Sequence, residues 1–125
     1  MVQLDTKSQK PAYLCGRLMA VLEEIQAGAL GGTNATIVDR YYGTASTAPA
    51  TVFSSLLSGS RHHLAKLRKQ KPGYYTNLEK KIQEVVSGLN EFPKVLSLEE
   101  QGLFALGYYH QKQERFQKTN KEENE

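Results

Sequence analysis

Apolar residues in this chain recur three and four positions apart in segment after segment, while a two-residue alternation of β-branched positions never survives more than a few residues. The first spacing marks one face of an α-helix and the second would mark a strand. The pattern therefore predicts an all-α fold, a single-domain bundle of five or six helices around a shared apolar core. A chain of 125 residues needs only one domain, and a domain of that size buries roughly two-thirds of its unfolded surface.

The segments divide as follows. Residues 1–10 are polar and expected to be flexible. Pro11 suits a first helical turn, and Tyr13, Leu14, Leu18, Val21, Leu22 and Ile25 carry a helix to about Ala27. "GALGGTN" breaks it, and Asn34 is a candidate cap for a short helix, "ATIVDRYY", with Ile37, Val38 and Tyr41 on one face. "GTASTAP" reads as a second loop, with Thr47 a candidate cap and Pro49 in the next first turn. Val52, Phe53, Leu56, Leu57, Ser60, Leu64 and Leu67 then form one stripe on a helix from about Ala48 to Gln70, with Ser58-Gly59 its weak point for a bend, and "KPG" stops it. Leu78, Ile82, Val85, Val86 and Leu89 give another helix, closed near Asn90 and Pro93. "SLEE" is a capping-box signature, opening a last helix through Leu98, Leu103, Phe104, Leu106 and Tyr109 to about Phe116. The bundle is thus expected over residues 11–117, with 118–125 a disordered tail. Three Tyr-Tyr pairs, at 41–42, 74–75 and 108–109, have intervals that do not align, so they mark no repeat.

Charge is distributed unevenly along this pattern. The stretch from Arg40 to Leu78 carries six of the chain's 16 Lys and Arg and none of its 13 Asp and Glu. It therefore stands at +6 and the remainder at −3, which together give the net charge of +3. Five of the six lie in "RHHLAKLRKQKPGYY". With Leu64 set at 0° on a helical wheel, Arg61 and Arg68 fall at about 60° and 40°, Lys69 and His62 at about 140° and 160°, and Lys66 at about 200°. The cations occupy a broad arc beside the leucine seam, along ~15 Å of helix. A solvated helix face usually mixes signs and gains i,i+4 ion pairs. Like charges without counter-charges repel, and they fit better under a polyanion. The candidate nucleic-acid-binding residues are therefore Arg61, Lys66, Arg68, Lys69 and Lys71, with His62 an extra donor. Arg40 ranks lower because Asp39 beside it offers a competing partner. Base stacking by Tyr41, Tyr42, Tyr74 and Tyr75 is a weaker option. In such pairs one tyrosine usually packs in the core while the other turns its hydroxyl outward.

Other chemistries find less support. His62 and His63 are adjacent, hence ~100° apart on a helix, and helical zinc ligands need i,i+4 spacing. The residue four after His62 is Lys66, and His110 belongs to another helix. No metal or cofactor is expected. No Ser, Cys or Asp stands at motif spacing from a histidine, and "GALGG" lacks the lysine and hydroxyl residue of a phosphate loop, so no enzyme is expected. Cys15, the one cysteine, reads as a small buried hydrophobe. The basic helix has no Trp and no large apolar group on its cationic side, which ranks a membrane partner last. The N-terminus has no apolar core resembling a signal peptide, and a cytoplasmic site is expected.

"PAYLCGRLMAVLEEIQ", "NATIVDRYYGTASTAPATVFSSLL", "HHLAKLRK" with its "KPG", and "FPKVLSLEEQGLFALGYYHQ" together resemble the C-terminal helical region of the large subunit of type I-C CRISPR effector complexes. The resemblance runs from about Ala12 to Gln113. It implies that a chain starting at Met1 is the separately made small subunit of that complex, Cascade, translated from an internal start. It implies a non-catalytic helical bundle present in more than one copy, alongside the backbone and large subunits and the guide RNA. The implied work is to support the guide–target heteroduplex and hold the displaced non-target DNA strand. Two other readings stay open: a structural spacer touching only protein and guide RNA, and a general RNA-binding bundle.

Overall fold

The computed structural model describes residues 4–31 and 36–124, with side chains as far as Phe116. Among these residues the backbone forms five helices and no strand: α1 Pro11–Leu30, α2 Ile37–Thr47, α3 Pro49–Gln70, α4 Pro72–Val86 and α5 Leu98–Asn124. The all-α, single-domain expectation holds.

Proline sets the punctuation. Pro11, Pro49 and Pro72 each open a helix. The residue before a proline is kept out of the right-handed helical region. Ala48 and Lys71 accordingly share nearly one conformation, φ −143° with ψ 70° and 71°. A single residue therefore separates α2 from α3 and α3 from α4. "KPG" ends α3 as expected, and its proline also starts α4.

Two expected loops are shorter than the sequence pattern indicates. α1 runs through Ala29 and Leu30 and closes at Gly31, whose φ of 76° suits glycine and whose N–H donates to the Ala27 carbonyl at 2.9 Å. α2 continues through "GTAST", where Ala45 is fully buried. The Ser46 and Thr47 hydroxyls donate back to the Gly43 carbonyl, so Thr47 does not cap α3. The cap of α2 is Thr36: its side chain accepts from the Asp39 N–H while the Asp39 carboxylate accepts from the Thr36 N–H, both at 3.1 Å. Asn34 lies outside the described residues. α3 is unbroken through Ser58-Gly59. The capping box of α5 forms as its signature predicts, between Ser97 and Glu100. Beyond Phe116 the α5 backbone stays helical to Asn124, through Lys, Glu and Gln residues that are good helix formers.

α1 is the axis of the bundle. Every residue from Ala12 to Leu22 is buried, as befits a helix enclosed on all sides, and the other four helices all pack against it. The closest approach is to α5. A Cβ on Gly16 would fall on the Phe104 carbonyl, and one on Gly107 on the Tyr13 carbonyl. Two glycines thus let the backbones of α1 and α5 touch. Buried polar residues of α1 fix the register of its neighbours. Arg17, 2% exposed, donates to Gln111 at 2.9 Å and to Glu84 at 3.1 Å. Glu24 accepts from the Tyr74 hydroxyl at 2.8 Å and from Lys81 at 3.1 Å. Tyr13 shares its hydroxyl with His110 Nδ1 at 2.9 Å and accepts from the Asp5 amide. Burial, then the hydrogen bond to Glu24, raises the Tyr74 phenol above its ordinary pKa.

The α5 reading needs correction. The buried residues are Phe104, Gly107, Tyr108, His110 and Gln111, whereas Leu98 is 85% exposed and Leu106 and Tyr109 about half exposed. Leu98, Gly102, Leu106, Tyr109, Gln113 and Phe116, all exposed, fall within about 80° of one another at 100° per residue. They form a charge-free outward stripe. On α2 likewise Tyr42 packs inward, edge-on to Phe104 and Tyr108 with centroids 5.3 Å apart, while Tyr41 is exposed.

Candidate nucleic-acid interface

The basic arc belongs to α3, whose seam Phe53, Ser60, Leu64 and Leu67 is buried. Anchoring that seam against the bundle turns the cations outward. Arg61, His62, Lys66, Arg68, Lys69 and Lys71 are all exposed. Arg61, Arg68 and Lys69 come together with Tyr75 of α4 around a groove of about 540 Å³ between the two helices. The Arg68 guanidinium lies over the Tyr75 ring, 5.9 Å from its centroid, within cation–π range. Tyr75 is thus part of the site rather than a marginal residue, positioned by Pro72 at the start of its helix.

Glu79 also lines this groove, one position beyond the acid-free stretch of sequence. The site is therefore not free of acid. Among the described residues, however, no basic residue of the stretch is within ion-pair distance of a carboxylate, and the groove remains net positive. His62 and Lys66 lie on the exposed ridge of α3 beside the groove. Lys71 sits at the α3–α4 junction, and its carbonyl accepts from the Tyr75 N–H at 2.9 Å. Arg40 lies on α2, apart from the groove. Its expected competitor, Asp39, is engaged with Thr36 instead, and among the described residues the exposed Arg40 has no carboxylate within ion-pair distance.

On the other side of the ridge a second concavity, about 430 Å³, opens between α1, α2 and α3. Its walls include Leu22, Ile37, Val52 and Leu56, and its polar lining includes Gln26 and His63. His63 is half-buried. Desolvation, followed by the positive fields of His62 and Lys66, lowers its pKa from the ordinary histidine value. In the sequence His63 stands out only as the neighbour of His62, and folding against α1 and α2 is what separates it from that exposed neighbour.

Cys15 is fully buried, and desolvation pushes its thiol up to about 12. Among the described residues no group of three or more His, Cys, Asp or Glu converges as a metal site. No helix among them is long and apolar enough to cross a membrane. A search among curated proteins finds no match. Residues 1–116 match the family described as CRISPR-associated protein (Cas_Csd1), so the chain belongs to this CRISPR-associated family.

Proposed function

We propose that the chain is the non-catalytic small subunit of a type I-C CRISPR effector complex, a cytoplasmic assembly, and that it holds nucleic-acid backbone to stabilise the R-loop. The observation that carries this reading is the set of unpaired cations on α3, with Arg61, Arg68 and Lys69 gathered around a groove whose floor includes Tyr75. Membership of a CRISPR-associated family supplies the setting. Exchange of a DNA duplex for a guide–target heteroduplex is nearly balanced in energy, so modest contacts to an opened strand can tip it. A strand that differs with every target calls for contacts to phosphate and to the faces of bases, which carry little sequence information. Arg61, Arg68 and Lys69 supply the first and Tyr75 a surface for the second.

The partners in this reading are the backbone and large subunits, further copies of the chain, the guide RNA, and target DNA including its displaced strand. The exposed apolar stripe of α5 favours protein contacts on a different face. It is also the observation behind the second reading, a spacer that touches only protein and guide RNA. Reversing Arg61, Arg68 and Lys69 to Glu separates the two. If the complex assembles but R-loops lose stability, the groove holds DNA; if assembly itself fails, the spacer reading gains. Failure of the wild-type chain to co-purify with the other subunits would sink both and leave a general RNA-binding bundle.

A further inference from the structure

The concavity between α1, α2 and α3 has the properties of a ligand site. Its volume, about 430 Å³, lies in the range of small-molecule pockets. Leu22 and Val52 give it apolar walls, while Gln26 and His63 bring polar edges. The Gln26 Oε1 is already committed, accepting from the Ile37 N–H at 2.9 Å, so its NH₂ group is what it has to offer. His63, whose pKa is lowered from the ordinary histidine value by desolvation and by the positive fields of His62 and Lys66, brings a ring with two hydrogen-bonding nitrogens to that edge.

Gly59 forms part of the lining. A glycine inside a helix is about 1 kcal/mol less favourable than alanine, and usually a neighbour needs the space. Here a Cβ on Gly59 would meet nothing within 4 Å. The position is open among the described residues, as it is at Gly43, Gly73 and Gly102, so a larger side chain placed at Gly59 has room to enter the concavity that it lines.

The location of the site is equally informative. On the α3 wheel Lys69, His62 and Lys66 fall between about 140° and 200°, and Gly59 and His63 at about 220° and 260°. Cations therefore run from the α3–α4 groove over the ridge to the mouth of this concavity. A phosphate chain that followed them would cross one helix, about 10–12 Å wide with its side chains, and reach the mouth of the concavity.

We infer that this concavity receives an unstacked nucleobase from the single strand whose backbone the α3 cations hold. The inference rests on the backbone-binding reading and adds a second type of contact to it: an apolar slot for a ring, with Gln26 and His63 at its polar edge. The slot gives affinity for bases as a class, as a strand of variable sequence requires.

The test uses fluorescence anisotropy on the full chain with two single-stranded DNA probes of equal length, one intact and one abasic throughout. Stacking of a base on an aromatic ring is worth about 1–3 kcal/mol, and Tyr41 is among the residues that line the slot, so wild type should bind the intact probe roughly 5- to 150-fold more tightly. Gly59→Leu fills the slot and should reduce that preference to the part that Tyr75 supplies, while leaving the salt dependence and the affinity for the abasic probe unchanged. His63→Ala leaves the slot open and removes one of the two residues of its polar edge; it should weaken binding of the intact probe alone and covers the case in which Gly59→Leu does not fold. Equal wild-type affinity for both probes overturns the inference while leaving the backbone reading intact. So does Gly59→Leu or His63→Ala binding that matches wild type on both probes. If Gly59→Leu binds DNA normally but fails to join the other subunits, the slot takes an apolar protein side chain and the inference falls. Binding of neither probe by wild type overturns the backbone reading and this inference together.

Discussion

The crossing of α1 and α5 makes a quantitative prediction about Gly107. In Gly107→Ala the new methyl would land on the Tyr13 carbonyl, which is main chain inside a helix and has no rotamer through which to escape. The helices must separate locally, and the separation strains the hydrogen bonds that span them, Arg17 to Gln111 and Tyr108 to Glu23 at 2.8 Å. Overpacking typically costs about 1–3 kcal/mol, and each weakened hydrogen bond about 1 kcal/mol. Alanine returns only about 1 kcal/mol through its better helix propensity. The net loss is therefore about 3 kcal/mol. At roughly 2–8 °C per kcal/mol for domains of this order of size, the melting temperature should fall by on the order of 10 °C. Gly102→Ala is the internal control, on the same helix with nothing within 4 Å of the added atom; it should stabilise by about 1 kcal/mol. Thermal melts followed by circular dichroism read both. A Gly107→Ala protein that melts at or above the wild-type temperature would refute the close crossing and the register built on it.

Further outcomes follow from other parts of the surface and core. Cys15 should resist alkylation by iodoacetamide at pH 8 in the folded chain and react promptly in denaturant, since burial both blocks access and holds the thiol protonated. Leu106→Glu with Tyr109→Glu should leave the chain folded at a cost of about 1 kcal/mol, because both residues are about half exposed and what is lost is the edge-on contact of Tyr109 with Tyr108. The pair should nevertheless reduce capture of the chain by the other subunits. A folded-state pKa below the unfolded value makes a histidine's stabilising contribution full above the unfolded pKa and lost as pH falls through the folded one. Wild type should therefore lose more stability than His63→Asn between pH 8 and pH 5, measured by urea unfolding.

Helix existence was readable from spacing, Pro11 and Pro49 could be recognised as first-turn residues, and the Ser97-Glu100 box could be placed to the residue. What spacing could not show was which of two apolar faces turns inward. On α5 both Leu98-Leu106-Tyr109 and Phe104-Tyr108-Gln111 repeat at helical intervals. The core took the second because Gly107 lets that face press against Gly16 of α1. The same limit applies to Tyr41 and Tyr42. In α1 Arg17 and Glu24 interrupt the apolar run, yet partners as distant in sequence as Glu84 and Lys81 allow both to be buried. The cationic arc survived folding because it depends on one helix alone. Its neighbours Tyr75 and Glu79 entered the site through the α3–α4 packing, a contact between helices that a wheel drawn on one of them leaves out.

The central claim is tested most directly by R-loop formation in the assembled effector complex carrying Arg61→Glu, Arg68→Glu and Lys69→Glu in this chain. The account predicts normal subunit composition, weaker R-loop formation, and a log–log salt dependence flatter by about 2, from three lost single-strand phosphate contacts at ~0.7 each. An intact complex that forms R-loops with wild-type affinity and wild-type salt dependence would contradict it.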